Sequence, residues 1–373
     1  MRRKPKLCIL GNQIFHVLTL ILTLAKNYGT QDFPTPSNKC IRLEYTPTYK
    51  YLGVLFSEHL DFNILANDLS ARASRALGSL ISKYYINNGM GYKTYVKLYT
   101  ACITKISDYC AGVWGLGLFP NLDSVHNRAI RTYLGVHKYT PLLALKGEMG
   151  LPPPSIRRKT EMMRLWNRLN KLPENRLPKQ VFNIEFKKQR SWCKNIKSIF
   201  EQSNMLEDFN SKNSVDLFNF NQTQLLIFKD NYTESLPKQD KLRNYAMYKF
   251  SFDTEPYVQK YMSRNKRSLF AQIRTGVLPL RVETGRFRGL PLQERTCEYC
   301  LDGSVEDEHH FLFSCNKWDS IRHPFLDKCT EVCPDFGDLD EVEQFRFVMN
   351  DEHIQLHTAE YVCTAFHMRK NLF

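Results

Sequence analysis

The sequence lacks the features that would assign it to several large classes of protein. It has no uninterrupted apolar run of about 20 residues, the length that a helix needs to cross a bilayer. The nearest candidate, residues 14–25, is shorter and carries polar side chains. Neither a phosphate-binding glycine loop nor the nucleophile elbow of many hydrolases occurs, and no internal repeat is present. We therefore expect no membrane partner and no enzyme of those two classes.

A disulfide framework is also missing, although cysteine is not scarce. The chain has 11 cysteines, an odd number, and they are unevenly spread. This fits a reducing compartment better than a set of disulfides. Basic residues before residues 14–25 superficially resemble a secretory signal, but the polar interruptions favour a buried helix or strand. We predict an intracellular protein of the nucleus or cytoplasm and leave residues 1–36 unassigned.

Acidic residues are too few to balance the basic ones. The chain has 52 Lys and Arg against 38 Asp and Glu, which gives a formal net charge of +14. Such a balance favours polyanionic partners, with nucleic acid first, through release of counterions. It also occurs in proteins that bind no nucleic acid. The length of 373 residues is enough for two or three compact units with hydrophobic cores.

What the sequence does contain is a group of metal-ligating residues near position 300. Cys297, Cys300, His310 and Cys315 form a Cys3His set at the spacing of a zinc site. Four protein ligands leave no position for water, so the predicted zinc is structural rather than catalytic. His309 is a rival for the histidine position. The alternative interpretation is that the thiols are unrelated and the histidines are solvated.

The residues between the two halves of this set predict a short helix. Ser304 is expected to cap it, and Glu306, Asp307 and Glu308 would lie in its first turn. Acids in that position are stabilised by the helix dipole. His310 and Cys315 would then project from the helix toward the turn that carries the first two cysteines.

A second possible set of ligands lies in the C-terminal tail. It consists of Cys329, Cys333, His353 and His357. The gap between its two halves is long for a zinc finger, and isolated cysteines and histidines are usually structural. A second zinc site is therefore the weaker prediction.

Hydrophobic periodicity predicts a mainly α fold with helical bundle-like regions, a short N-terminal β-hairpin and a small Cys3His zinc knuckle. The hairpin falls within residues 40–56, and helices are predicted over residues 62–85, 92–116 and 122–134 and from near Ser155. Residues 182–240 are polar and weakly periodic, which predicts a variable linker or loosely packed helices. The predicted division is 37–181, 182–240, 241–325 with the zinc knuckle, and a helical tail over 326–373.

Arginine and lysine residues interleaved with aromatic residues are candidates for contact with nucleic acid. Such side chains can hold phosphates while bases stack on the rings. The other interpretation of any one such helix is an ordinary solvated face around a core stripe. The predicted nucleic-acid-binding residues are Arg157, Arg158, Lys159, Arg264, Lys266, Arg267, Arg274, Arg281, Arg286, Arg288 and Arg295.

Three stretches together resemble the C-terminal part of reverse transcriptases from non-LTR (LINE-type) retrotransposons. Residues 271–315 read AQIRTGVLPLRVETGRFRGLPLQERTCEYCLDGSVEDEHHFLFSC and are similar to the zinc-binding region of that family. The resemblance implies the ligands Cys297, Cys300, His310 and Cys315, and it prefers His310 because an apolar pair follows it. YKYLGVLF at residues 49–56 looks like the segment after the polymerase palm. Residues 133–166 are similar to the helical region beyond the thumb.

The catalytic chemistry of that family has no counterpart here. Reverse transcription needs carboxylates that hold two magnesium ions about 3.5–4 Å apart, and no two aspartates are adjacent in this chain. In the family the catalytic core precedes the YKYLGV segment, whereas here only a few dozen dissimilar residues do. The resemblance therefore implies a fragment that is no enzyme on its own but binds structural zinc and RNA or DNA, as template or target. The alternative is a degenerate or domesticated zinc-stabilised module for protein contacts.

Overall fold

The structure is a computed structural model that describes residues 32–34, 40–42, 46–59, 61–189, 191–300 and 302–370. It is 68% helical, which confirms the predicted mainly α class. The apolar run at residues 14–25 lies outside the described residues, so the prediction of a buried segment there stays a prediction. In the part of the chain that is described, no helix combines the length and the apolar character needed to span a membrane.

Four short strands form two antiparallel pairs. Strand β1 (Asp32–Pro34) pairs with β2 (Cys40–Arg42), and β3 (Thr48–Tyr51) pairs with β4 (Val54–Ser57). The turn between β3 and β4 has only two residues, Leu52 and Gly53, and both have positive φ (46° and 86°). Such a turn matches the twist of a hairpin. The predicted N-terminal β-hairpin is confirmed.

Helices make up most of the remaining described chain. In chain order they are α1 Asn63–Ile86, α2 Tyr92–Leu98, α3 Lys105–Ser107, α4 Ala111–Trp114, α5 Pro120–Leu134, α6 Leu142–Met149, α7 Pro154–Lys171, α8 Leu177–Lys188, α9 Ser191–Gln202, α10 Leu206–Asn210, α11 Leu217–Ser235, α12 Arg243–Tyr248, α13 Pro256–Gln259, α14 Arg264–Arg274, α15 Arg281–Phe287, α16 Asp319–Val332, α17 Glu341–Asn350 and α18 Gln355–Lys370. Two π-helical turns cover Tyr99–Thr104 and His310–Ser314.

The helix predicted over residues 92–116 is interrupted in the structure. A π-helical turn at Tyr99–Thr104 follows α2, and Cys110 adopts the left-handed conformation with φ 57° just before α4. Such a conformation is unfavourable for a residue with a Cβ and cannot continue a right-handed helix. The apolar period continues through the break, which is why periodicity alone predicted one helix.

The chain folds into two compact units, and each is assembled from separate segments. Unit 1 combines the described parts of Met1–Arg72 with Ile106–Leu122 and Pro154–Gln224. Unit 2 combines Ala73–Lys105, Asp123–Pro153 and Leu225–Phe373, the last as far as it is described. This differs from the predicted division into consecutive ranges. The physical reason is that the packing joins residues far apart in sequence, and local composition and periodicity do not reveal such contacts.

Trp166 of α7 lies at the centre of one hydrophobic cluster of unit 1. Its ring contacts Phe182 and Phe200, and it stacks on Phe209 with ring centroids 5.4 Å apart. The indole nitrogen donates to the carbonyl of Asn213 at 2.9 Å. Helices α8 to α10 thus bury their apolar residues against α7. Of the linker and the loosely packed helices predicted over residues 182–240, the structure has helices over most of that range.

Two glycines allow helices α4 and α7 to pack closely. Gly112 and Gly115 lie where α4 runs against α7. A Cβ on Gly112 would lie 3.0 Å from the carbonyl oxygen of Glu161, and one on Gly115 would lie 3.1 Å from that of Arg158. Side chains at these positions would push the two helices apart. The glycines therefore permit the close approach that covers the second cluster of unit 1, around Trp114 and Phe119.

Unit 2 is built around α14, which packs against the C-terminal helix α18. The buried residues of α14 include Phe270, Ala271 and Ile273. Tyr257 lies edge-on to Phe270, with ring centroids 4.8 Å apart. Further along α18, Tyr361 stacks on Phe325 of α16. This packing places the C-terminal helix beside the segment that carries the predicted zinc ligands.

Candidate metal centre

Four side chains converge in unit 2 on a single point. Cys297, Cys300, His310 and Cys315 each offer one ligand atom, and these four atoms all lie within 4.8 Å of one another. The sulfurs of Cys297 and Cys315 are 3.9 Å apart, and the Cys300 sulfur is 3.4 Å from His310 Nε2. The arrangement could hold one metal ion. The predicted quartet is thus brought together by the fold.

A short hairpin-like bridge positions the first two cysteines. Thr296 pairs with Val305 as an antiparallel bridge. The Cys297 amide donates to the Ser304 carbonyl at 2.8 Å, and the Glu306 amide donates to the Arg295 carbonyl at 3.0 Å. These bonds close the loop that carries Cys297 and Cys300. Both thiols are therefore held toward the inside of the loop.

A π-helical turn positions the other two ligands. The Cys315 amide donates to the His310 carbonyl at 2.8 Å, five residues earlier, as expected of a π turn. The predicted cap was wrong in position: Asp307, not Ser304, accepts from the His310 amide, at 2.8 Å. The helical turn begins after Asp307, because the preceding residues are already used in the bridge.

Most of the quartet is shielded from solvent. Cys297, His310 and Cys315 are buried, and Cys300 is half-buried. The hydrogen bond between the Cys297 and Cys315 sulfurs lowers the pKa of Cys297 and raises that of Cys315. The contact with Cys297 also raises the pKa of His310. One thiolate beside an imidazole is the electrostatic setting in which a cation is readily accepted.

His309, the rival ligand, points elsewhere. Its ring lies against Phe313, with centroids 5.0 Å apart, and its Nε2 is 3.9 Å from a carboxylate oxygen of Glu341. Cys329, Cys333, His353 and His357 do not come together either. In the ranges that the structure describes, the Cys3His quartet is the only group of three or more potential ligands.

Glu306 links the candidate metal centre to two other elements, a role that no pattern in the sequence indicates. Its side chain is buried and accepts from the Arg281 amide and from Arg369 Nη2, both at 2.8 Å. Burial raises the pKa of this carboxyl, and the Arg369 guanidinium opposes that effect. The Glu306 carbonyl also accepts from the Val282 amide at 3.0 Å. The start of α15 and the end of α18 are thereby tied to the residue between the ligand pairs.

Arg322 and Tyr361 support the second half of the quartet. Arg322 is buried and donates to the carbonyls of Leu312, at 3.0 Å, and Cys315. Tyr361 of α18 donates to the Phe311 carbonyl at 2.9 Å. Both side chains therefore satisfy carbonyls that the π turn leaves open. Neither residue could be identified from sequence, because each acts on the backbone and not on a ligand.

Three of the arginines predicted to bind nucleic acid are buried. Arg158, Arg267 and Arg274 are 1%, 3% and 1% exposed. Arg274 pairs with Glu148 and with Glu255 of the same unit. Arg267 donates to the Tyr133 carbonyl at 3.1 Å and lies over that ring, and Arg158 lies over Trp114 and Phe119. The prediction was wrong for these three, since a buried guanidinium cannot reach a phosphate.

Several other predicted residues are partly engaged in the fold. The ion pairs are Arg157 with Asp108, Lys266 with Glu360, and Arg281 with Glu298. Lys159 donates to Gln202 and Gln224, and Arg295 donates to the carbonyls of Val282 and Leu290. Arg264 lies over the exposed ring of Tyr85.

Arg286 and Arg288 are the exposed members of the predicted set. Arg286 pairs with Glu283 three residues earlier. Both arginines lie at the end of α15 and directly after it. Within the predicted set they have the best access to a ligand in solution.

Comparison with known proteins gives no further assignment. No family model, no curated protein and no solved structure matches the chain.

Proposed function

We propose that this chain is the zinc- and nucleic-acid-binding C-terminal part of a non-LTR retrotransposon reverse transcriptase, without polymerase activity of its own. The observation that carries the proposal is the meeting of Cys297, Cys300, His310 and Cys315 at one point. These are the four residues that the resemblance to that family singles out. The net charge of +14 supports a polyanionic partner.

Zinc is the metal that the quartet fits best. In a tetrahedral site a Zn–S bond of about 2.3 Å places two sulfurs about 3.8 Å apart. The Cys297 and Cys315 sulfurs are 3.9 Å apart. A sulfur and an imidazole nitrogen on the same ion would be about 3.5 Å apart, and Cys300 and His310 are at 3.4 Å. Three soft thiolates and one imidazole also select zinc over magnesium or calcium.

The role of this zinc would be structural. All four positions around it are filled by protein side chains, so no water can be activated on it. The ion would hold the loop with Cys297 and Cys300 against the turn with His310 and Cys315. Glu306, which lies between these pairs in sequence, would thereby keep the start of α15 in place. The proposed function of the metal is to fix the surface that α15 presents.

Phosphate contact would fall to the basic residues that remain accessible. Arg286 and Arg288 are exposed, and Arg264 is half-buried beside Tyr85. Exposed guanidinium groups bind phosphate oxygens without reading the base sequence. We therefore expect binding that depends little on sequence and strongly on salt.

A second candidate function is contact with another protein. Several predicted phosphate-binding residues are engaged within the fold, and some large apolar side chains are exposed, among them Leu118, Ile86 and Phe218. A zinc-stabilised helical module that had lost its original ligand would retain both features. This candidate predicts no useful affinity for nucleic acid.

Titration of the zinc-loaded full chain with labelled RNA and with labelled duplex DNA separates the two candidates. We expect binding of at least one of them at about 50 mM salt, with an affinity that falls steeply as salt rises. Absence of binding to both, or affinity that does not change with salt, would contradict the proposed function. Template-dependent DNA synthesis by the pure chain with magnesium would contradict the proposed lack of polymerase activity.

A further inference from the structure

Two aromatic side chains from distant parts of unit 2 lie side by side on its surface. Tyr139 is 61% exposed and Phe287 is 60% exposed. Their ring centroids are 5.9 Å apart, and the rings are inclined by 51°, which is an ordinary contact geometry for an aromatic pair. We call this pair the aromatic platform. Since both rings remain largely open to solvent, burial in the core does not explain their position.

Each ring of the aromatic platform has a basic side chain in contact with it. Lys138 Nζ lies 4.9 Å from the centroid of the Tyr139 ring, and Arg286 Cζ lies 5.0 Å from that of Phe287. Arg288 follows Phe287 directly and is exposed. The acidic side chain that contacts Arg286 is Glu283, at 2.9 Å. Glu283 also pairs with Lys241, at 2.7 Å. The platform therefore carries a net positive charge.

The Tyr139 side of the platform is fixed to a buried helix. The turn that carries Tyr139 follows Gly135, which ends α5 with φ 70°. The Gly135 carbonyl accepts from Ser268 Oγ at 2.7 Å and from Gln272 Nε2 at 3.1 Å, and both donors lie on α14. A Cβ at position 135 would come within 2.7 Å of the Ser268 side chain. The turn is thus anchored closely to α14.

The Phe287 side is fixed to the metal centre. Phe287 is the last residue of α15, and Arg295 braces that helix by donating to the Val282 carbonyl at 2.8 Å and to the Leu290 carbonyl at 2.7 Å. Gly285 leaves room for the brace, because a Cβ there would lie 2.7 Å from Arg295 Cγ. The start of α15 is bonded to Glu306. The ring is therefore presented on a rigid support.

We propose that Tyr139 and Phe287 stack with unpaired bases of a single-stranded nucleic acid, while Lys138, Arg286 and Arg288 contact its phosphates. This deepens the proposed function and rests on it. A single strand is the fitting ligand because its bases expose their faces, whereas those of a duplex are stacked on one another. Cations beside the rings match the phosphates that accompany each base. Every base has an aromatic face, so the site selects strandedness and not sequence.

The test uses the zinc-loaded full chain and short single strands that contain 2-aminopurine, whose fluorescence is quenched when it stacks. We expect quenching on binding, for RNA and DNA strands measured separately. The double variant Tyr139→Ala/Phe287→Ala should abolish the quenching and weaken binding about 30-fold or more, since each of the two stacked bases contributes about 5- to 150-fold. Tyr139→Phe/Phe287→Tyr keeps both rings and should bind like the unchanged protein.

The matched control is Phe250→Ala. Phe250 is 63% exposed and has the Arg346 guanidinium 5.5 Å from its ring, but among the described residues no second aromatic ring pairs with it. We expect unchanged affinity and quenching. If the unchanged protein binds single strands and the double alanine variant binds and quenches equally well, the proposed stacking on the aromatic platform is contradicted. The proposed function is then unaffected. If the unchanged protein binds no nucleic acid at low salt, both are overturned.

Discussion

The guanidinium of Arg274 is buried between two carboxylates. It donates to both oxygens of Glu148, at 2.9 and 3.0 Å, and to Glu255 at 2.7 Å. Lys249 also pairs with Glu255, so two positive and two negative charges balance. Such a group is stable when complete but becomes unfavourable when one member is removed, because a charge then stays buried without a partner. Arg274 therefore stabilises the folded state.

Replacement of Arg274 by Met should lower the free energy of unfolding by about 3–5 kcal/mol, because the buried carboxylate of Glu148 loses its cationic partner and Glu255 keeps only Lys249. Chemical denaturation measures this change. The control is Arg164→Met, which removes the exposed pair with Glu161 and should cost less than about 1 kcal/mol. A similar small effect at both positions would contradict the structural role of Arg274.

The same group predicts how stability depends on pH. Burial alone would raise the pKa of Glu148, but the Arg274 guanidinium and its hydrogen bonds lower it below the ordinary value. A carboxyl with a lowered pKa in the folded state stabilises the protein above its unfolded pKa, about 4.3. That contribution is lost as the pH falls through the folded value. Unfolding free energy below about pH 4.3 should therefore fall less steeply in Glu148→Gln; equal slopes would refute this.

Removal of one metal ligand should release the ion. The unchanged protein should contain one zinc per chain, and Cys300→Ser should contain none and lose local structure, since metal binding and local folding are coupled. Elemental analysis and hydrogen exchange over residues 295–320 measure the two effects. Cys333→Ser is the control, because Cys333 is half-buried and lies outside the quartet. Full zinc content in Cys300→Ser would contradict the assignment of this ligand.

The meeting of the four potential metal ligands could be predicted from sequence, whereas the burial of the arginines could not. The four ligands fall within 19 positions, so their spacing alone limits the geometry. Arg274 meets Glu148 across 126 positions. An arginine beside aromatic residues has the same local pattern whether it faces solvent or a distant carboxylate. Only the tertiary fold distinguishes the two cases.

The C-terminal helix α18 supports the metal centre from outside the ligand set. Arg369 near its end donates to Glu306 at 2.8 Å and to the Pro279 carbonyl at 2.6 Å. Its guanidinium also lies over the ring of Tyr299, 5.0 Å from the centroid. Tyr299 stands between the first two ligands in sequence. The helix therefore holds the loop of Cys297 and Cys300 through side chains that lie outside the Cys3His quartet.

Arg369→Met should leave the buried carboxyl of Glu306 with a single donor and destabilise unit 2 by about 1–3 kcal/mol. We also expect faster loss of zinc to a chromogenic chelator, because the ligand loop is held less firmly. The neighbouring change Lys370→Met is the control, since Lys370 is exposed and lies only over Phe366. Equal rates of zinc loss in the two variants would argue against support from α18.

At the level of helices and strands, periodicity predicted well where a long apolar stripe faces one core. The prediction of residues 62–85 agrees closely with α1, Asn63–Ile86. Periodicity did not predict the π-helical turns. The extra residue of a π turn shifts the phase of the apolar period but leaves the composition unchanged. Over residues 182–240 the periodicity was too weak to decide between a linker and helices, and the structure has helices there. Phe182, Phe200 and Phe209 all contact the ring of Trp166.

The whole molecule should resist proteolysis across residues 182–240, where a linker would be cleaved first. Lysines such as Lys187 and Lys194 offer trypsin sites, but they lie in α8 and α9. Trp166→Ala should cost about 3–5 kcal/mol and make these sites accessible to limited digestion. Phe218→Ala is the control, because Phe218 lies in the same region but is exposed. Rapid cleavage of the unchanged protein at these lysines would contradict the packed core.

The assembly of each unit from three separated segments has a consequence for biosynthesis. A growing chain usually folds one domain at a time, starting from the amino end as it leaves the ribosome. Here the first unit is incomplete until Gln224 has emerged, and the second still lacks its last segment at that time. Apolar side chains of the nascent chain therefore remain exposed to solvent through most of translation. We expect chaperones to bind the nascent chain during this time.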